Sequence, residues 1–148
     1  MVLSPVAANG LYPLAETSEI IGAAINSKYR RNEMTIKRYG LCSRMSQAVV
    51  HGDTIYLSGQ VADDWTAGIK QQTEEILHKI ENILHSLGSD KSKLLSAQIW
   101  LADVREFDEM NAVWEDWIDP ENPPARATTG PTLAHHHVRV EIAVIGVL

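Results

Sequence analysis

Cysteine is nearly absent. Cys42 stands alone, so no intrachain disulfide can form and a thiolate metal site would lack ligands. Long apolar runs are missing too: nothing approaches the roughly 18 to 20 consecutive apolar residues that cross a bilayer. Met1-Val2-Leu3-Ser4-Pro5 has neither the basic n-region nor the apolar core of a secretory leader. These absences predict a cytoplasmic chain with no membrane partner. Positive charge is scarce, 13 Lys and Arg against 19 Asp and Glu, for a net charge of −6. Lys28-Tyr29-Arg30-Arg31, with Lys37 and Arg38 close by, is the densest basic stretch and makes no stripe, so a nucleic-acid partner is not expected. No G-x-S-x-G elbow surrounds Ser58, and no histidine pattern accompanies Cys42, which argues against serine or thiol nucleophiles. Internal repeats and low-complexity tracts are absent.

What remains is ordinary for one soluble domain: 148 residues, 45% of them apolar, enough to bury about two thirds of the unfolded surface. Residues 1–33 lack alternation and carry a weak helical signal around Glu19 to Ile25. They read as an N-terminal extension, partly disordered or packed on the surface, ahead of a domain at 34–148.

Within that domain, Ala48-Val49-Val50-His51 and Thr54-Ile55-Tyr56-Leu57-Ser58 flank Gly52-Asp53, a hairpin pattern. Gly59 ends the second strand and lets backbone come close to a ligand or a neighbouring chain. Ile76, Ile80, Ile83, Leu84 and Leu87 recur at three- and four-residue spacing, predicting a helix over 69–87 with Gly88 closing it. Ser92 to Leu101 reads as a strand. Asp103-Val104-Arg105-Glu106 has the form of a capping box before a helix carrying Phe107, Met110, Asn111, Val113, Trp114 and Trp117, which Pro120 stops. Val138 to about Val147 alternates as a last strand. Strand, strand, helix, strand, helix, strand makes a two-layer α/β (α+β) sandwich, a mixed sheet with two helices on one face. Val49, Ile55, Leu57, Ile99 and Leu101 raise the question of what covers the other face, and a homo-oligomer is one answer.

Two charged residues carry chemical interest. Arg126 follows Pro123-Pro124, just before the last strand, and a guanidinium fork suits bidentate capture of a carboxylate; it equally suits a surface or ion-pairing arginine. Glu141, between Val140 and Ile142, lies either on a solvent face or in a cleft that would raise its pKa for proton shuttling. An Arg126–Glu141 salt bridge is a further structural explanation. Ser58-Gly59-Gln60 could line a polar pocket or simply turn. Neighbouring residues of an extended segment face opposite ways, so His135-His136-His137 reads as a connection rather than a metal site. His78 and His85 read as surface residues of the helix. Trp100, Trp114, Trp117 and Tyr56 read as core or subunit contacts.

Ser46-Gln47-Ala48, Ile55 to Gln60, the helix from Gln72 to Gly88, Asn111-Ala112-Val113-Trp114, Pro124-Ala125-Arg126 and Val138 to Ile142, in this order, resemble the RidA/YjgF family. Its older names are translation inhibitor and endoribonuclease L-PSP, and it is now known for deaminating reactive enamines and imines. The resemblance spans roughly Thr35 to Leu148. It implies a chorismate-mutase-like fold and a homotrimer whose sheets form an inner barrel, with pockets at the subunit interfaces. It implies hydrolysis of 2-imino and 2-enamino acids to 2-keto acids and ammonia without a metal or organic cofactor. Arg126 matches the arginine that binds the substrate carboxylate, and Glu141 the glutamate associated with the attacking water. Ser58, Gly59, Asn111 and Thr128 match substrate-binding positions. Met45 stands where the family has a pocket tyrosine, and Thr128 where it has a cysteine. The alternative reading is a noncatalytic trimeric module that binds small carboxylates.

Overall fold

A computed structural model describes residues 35–148, so the expected N-terminal extension lies outside the described residues. The elements, in chain order, are strands β1 (Ile36–Leu41), β2 (Ser46–His51) and β3 (Thr54–Leu57), helix α1 (Ile69–Ser86), β4 (Leu94–Leu101), helix α2 (Phe107–Trp117), β5 (Ala125–Thr129) and β6 (Val140–Val147). One sheet holds six strands in the order β1-β2-β3-β6-β4-β5. Among the described residues only the β4–β5 pair is parallel, joined through α2, and β6 inserts antiparallel between β3 and β4.

Alternation of side chains divides the sheet into two faces. Ala48, Val50, Ile55, Leu57, Ala97, Ile99, Leu101, Val140, Ile142 and Val144 are buried toward the helices. There they meet Ile69, Ile76, Leu77, Ile80 and Leu84 of α1 and Met110 and Trp114 of α2 in one cluster. Burial of each such side chain contributes about 1.5–3 kcal/mol, which holds α1 without any side-chain N-cap at Gly68. Gly88 ends α1 at φ +81°, in the left-handed region that favours glycine; Ser89 N donates to Leu84 O at 2.9 Å beyond it. No helix among the described residues is long and apolar enough to cross a membrane.

The expected two-layer α+β arrangement and the β2–β3 hairpin are present, with Gly52 at φ +60° in the turn. Two strands were not anticipated. β1 and β5 lie at the two edges of the sheet, where neither face is fully covered, and Ile36–Leu41 and Ala125–Thr129 therefore lack an alternating apolar pattern. Arg126 is thus inside an edge strand, not in a connection ahead of the last one.

The expected capping box is also corrected. Asp103 accepts from Arg105 N at 2.9 Å and caps a short 3-10 turn, Val104–Glu106, that precedes α2. Glu106 does not reach back to it. Its carboxylate instead takes Arg139 Nε at 3.1 Å, an attraction between distant segments that outcompetes the local cap. The hydrogen bonds from Arg105 hold the Asp103 carboxyl down to about 2. A depressed carboxyl pKa stabilises the fold above the ordinary carboxylate range, and that contribution vanishes as pH falls through the folded value. A carboxyl-carbon NMR titration is expected to place the Asp103 midpoint near 2; an unshifted midpoint would show that the turn does not hold its charge pair.

Candidate functional site

Arg126 lies opposite Ala97 in the parallel β4–β5 ladder and so shares the helix-facing side of the sheet. Its Nη1 donates to Asn111 Oδ1 at 2.8 Å, and its guanidinium lies 5.4 Å from the Trp114 ring centroid. Asn111 and Trp114 are three apart on α2, on one helix face. Trp114 is 5% exposed, a fixed wall for the guanidinium to rest on. None of the ion pairs among the described residues involves Arg126. A cation held by a neutral amide and an indole keeps its charge and most of its donors for an incoming anion. Beside it is a groove of about 260 Å³ lined by Ser96, Ala97, Gln98, Ala125, Arg126 and Ala127.

Glu141 lies opposite Trp100 in the β4–β6 ladder. Ala97 and Trp100 are three residues apart on one strand, and an odd separation puts them on opposite faces. Arg126 and Glu141 therefore occupy opposite faces of the same sheet, and the salt bridge between them is not formed. The Glu141 carboxylate leans on the bare backbone of Gly59: a Cβ built there would run into Oε1. Gln60 fixes this approach through a backbone pair with Ile142, at 2.8 and 3.1 Å. A cleft of about 210 Å³ opens beside the carboxylate, lined by Trp100, Pro131, Thr132, Leu133, Ala134 and Glu141.

Residues 35–148 match a family model described as endoribonuclease L-PSP. The chain belongs to the RidA/YjgF family. A RutC family protein of Haemophilus influenzae is 39% identical over 113 residues, 76% of this chain and 97% of that protein. A solved structure of a YjgF family member from Neisseria meningitidis is 38% identical, with a TM-score of 0.73 over 77% of this chain and 95% of that one. A human 2-iminobutanoate/2-iminopropanoate deaminase is 28% identical over 129 residues, 83% of this chain and 93% of that protein. The mixed sheet with two helices on one face is thus the RidA/YjgF fold.

The other expected positions divide between the two faces of this RidA/YjgF chain. Asn111 joins Arg126. Thr128 lies opposite Ile99, on the same face, and its buried Oγ1 has no hydrogen-bond partner among the described residues. Ser58 and Gly59 stand with Glu141, and Gln60 Nε2 donates to Ser58 Oγ at 2.9 Å, leaving the hydroxyl hydrogen free to donate. Gly59, expected to let backbone come close to a ligand or a neighbouring chain, has the Glu141 carboxylate in the space a Cβ would fill. Met45, 47% exposed in the β1–β2 connection, lines neither cleft.

The three histidines form the connection that their spacing suggested, with His135 also 4.4 Å from the Trp65 ring. Among the described residues no group of three His, Cys, Asp or Glu is placed to hold a metal. Burial first, and then the neighbouring imidazoles of His136 and His137, lower the pKa of His135.

Sequence reasoning missed Gln72. It is 0% exposed in α1, donates to His137 O at 3.1 Å and accepts from Arg139 N at 2.9 Å. A polar residue in register with Ile69 and Ile76 was the available signal.

Proposed function

We propose that this protein hydrolyses reactive 2-imino and 2-enamino acids to 2-keto acids and ammonia. The observation that carries the reading is the Arg126 guanidinium, held by Asn111 and Trp114 with no carboxylate paired to it among the described residues. A planar fork so held suits the carboxylate of a small substrate. The name of the human relative, a 2-iminobutanoate/2-iminopropanoate deaminase, supports the same chemistry.

In this reading Arg126 binds the carboxylate, and Glu141, set against Gly59, positions a water and takes its proton as the oxygen attacks the imine carbon. Proton return to nitrogen and collapse of the tetrahedral adduct expel ammonia: one water is consumed, the C=N becomes C=O, and no electron changes hands. The polarised C=N needs no metal or organic cofactor, and Ser58 donates a hydrogen bond to the substrate. Arg126 and Glu141 lie on opposite faces of one sheet, so a joint site requires Arg126 of one copy to meet Glu141 of another. This favours the homotrimer with interfacial pockets. The open face supplies a surface for it, with Val49, Tyr56, Ala143 and Ile145 at its middle. A cytoplasmic location fits the single cysteine.

The test is ammonia release from freshly generated 2-iminobutyrate. Wild type is expected to exceed the buffer rate, and Arg126→Ala to lose about 100-fold in kcat/KM, mostly through KM, with Arg126→Lys in between. Equal release by wild type and Arg126→Ala would remove the arginine from the mechanism. No release above buffer across several imino acids would favour the noncatalytic carboxylate-binding module.

A further inference from the structure

We propose that the cleft beside Glu141 is a side-chain subsite that selects 2-imino acids with bulky apolar side chains, such as those of leucine and phenylalanine, and rejects dicarboxylic ones. The inference rests on the hydrolytic reading above and adds to it the class of substrate.

Its first support is what lines the cleft. Trp100, Pro131, Leu133 and Ala134 supply apolar wall, Thr132 one hydroxyl, and Glu141 the only formal charge among the described residues that line it. Trp100 lies directly across the ladder from Glu141 on one side and Thr129 on the other, so its indole forms a floor next to the carboxylate. A substrate whose imine carbon meets a water at Glu141 projects its side chain over that floor. A second carboxylate would meet a like charge in partly desolvated surroundings, whereas a branched aliphatic or benzyl group would exchange water for the wall. The volume of about 210 Å³ falls below the roughly 300–1,000 Å³ typical of drug-sized ligands. It suits one side chain.

The second support is that the wall is fixed at both ends, and a selective pocket needs a wall that does not yield. At its start, Gly130 lies so close to Val104 that a Cβ would collide with that side chain. Pro131 restricts the next backbone dihedral. At its far end His135 packs on Trp65, Val138 N donates to His135 O at 3.1 Å, and the buried Gln72 amide holds His137 O. Leu133 and Ala134 are thus carried on a segment pinned to the turn before α2 and to α1, two places unrelated to the sheet that bears Glu141.

The experiment generates imines in situ from leucine, phenylalanine, alanine and glutamate with amino-acid oxidases and measures the acceleration of ammonia release over buffer. The leucine- and phenylalanine-derived imines are expected to exceed the alanine-derived one by about tenfold in kcat/KM, with the glutamate-derived imine close to the buffer rate. Leu133→Asp is expected to invert the leucine-to-alanine order, and the milder Leu133→Ala to narrow it, so that a folding defect in one variant does not decide the matter. Equal acceleration of all four imines would overturn the subsite while leaving imine hydrolysis intact. If no imine is accelerated, the hydrolytic reading falls, and calorimetry then decides the subsite separately. Tighter binding of 4-methyl-2-oxopentanoate than of 2-oxoglutarate would support it, and equal or reversed binding would overturn it.

Discussion

Gly59→Ala is expected to cut kcat for imine hydrolysis by about 100-fold or more while leaving a folded chain of nearly unchanged stability. The three nearest atoms to a new Cβ all belong to the Glu141 side chain, its Oε1 first and then Cδ at 2.9 Å and Cγ at 3.1 Å. The far end of a flexible side chain can rotate away, so the backbone need not move. What is lost is the position of the carboxylate. A water aligned by Glu141 would lose its base, and the loss should fall on kcat rather than KM because Arg126, supplied by another copy, still binds the substrate carboxylate. Two further measurements separate this from general damage. Gly59→Ala combined with Glu141→Ala should be no slower than Glu141→Ala alone, since both remove the same group. Gly59→Ala combined with Glu141→Asp should recover part of the rate, because the shorter side chain clears the methyl. Full activity in Gly59→Ala would mean that Glu141 works from another position or not at all.

The elements that cover a core were legible from the sequence, and those at the margins were not. The apolar repeat from Ile69 to Leu84 and the alternation from Val140 to Val144 record burial directly, and both elements form where that pattern places them. β1 and β5 have no such record, since an edge strand is held by backbone hydrogen bonds to one neighbour, which any side chain permits. Losing β5 misplaced Arg126 by one element, and with it the face on which the guanidinium lies. The motif order identified Arg126, Asn111 and Glu141 but could not show that the first two share a side of the sheet and the third does not. That division depends on the parallel register of Ala97 with Arg126, a pairing between segments 29 residues apart in sequence. Gly59 stands out in the sequence for its missing side chain, and the structure adds that the Glu141 carboxylate takes up the space a Cβ would fill.

Gln72→Leu should be the most destabilising single change at a polar position, at about 3–5 kcal/mol in denaturant unfolding. The amide is completely buried and bridges three segments: Nε2 donates to Ala67 O at 3.0 Å and to His137 O at 3.1 Å, and Oε1 accepts from Arg139 N at 2.9 Å. Leucine fills similar space but leaves these part-buried backbone groups without their partners, and each one that water does not reach costs about 1–3 kcal/mol. Gln72→Glu keeps the acceptor for Arg139 N, loses the bonds donated by Nε2 and brings in a buried charge, so it should be destabilising as well. The loss has a functional direction too. Gln72 holds the end of the segment that carries Leu133 and Ala134, so whatever Gln72→Leu protein remains folded should lose its preference for leucine-derived over alanine-derived imines. Amide hydrogen exchange at Arg139 reads the anchor directly: strong protection in wild type should fall in both variants. Unchanged protection, or a stability loss under 1 kcal/mol, would show that the segment is held by Val104 and Trp65 and not by the buried amide.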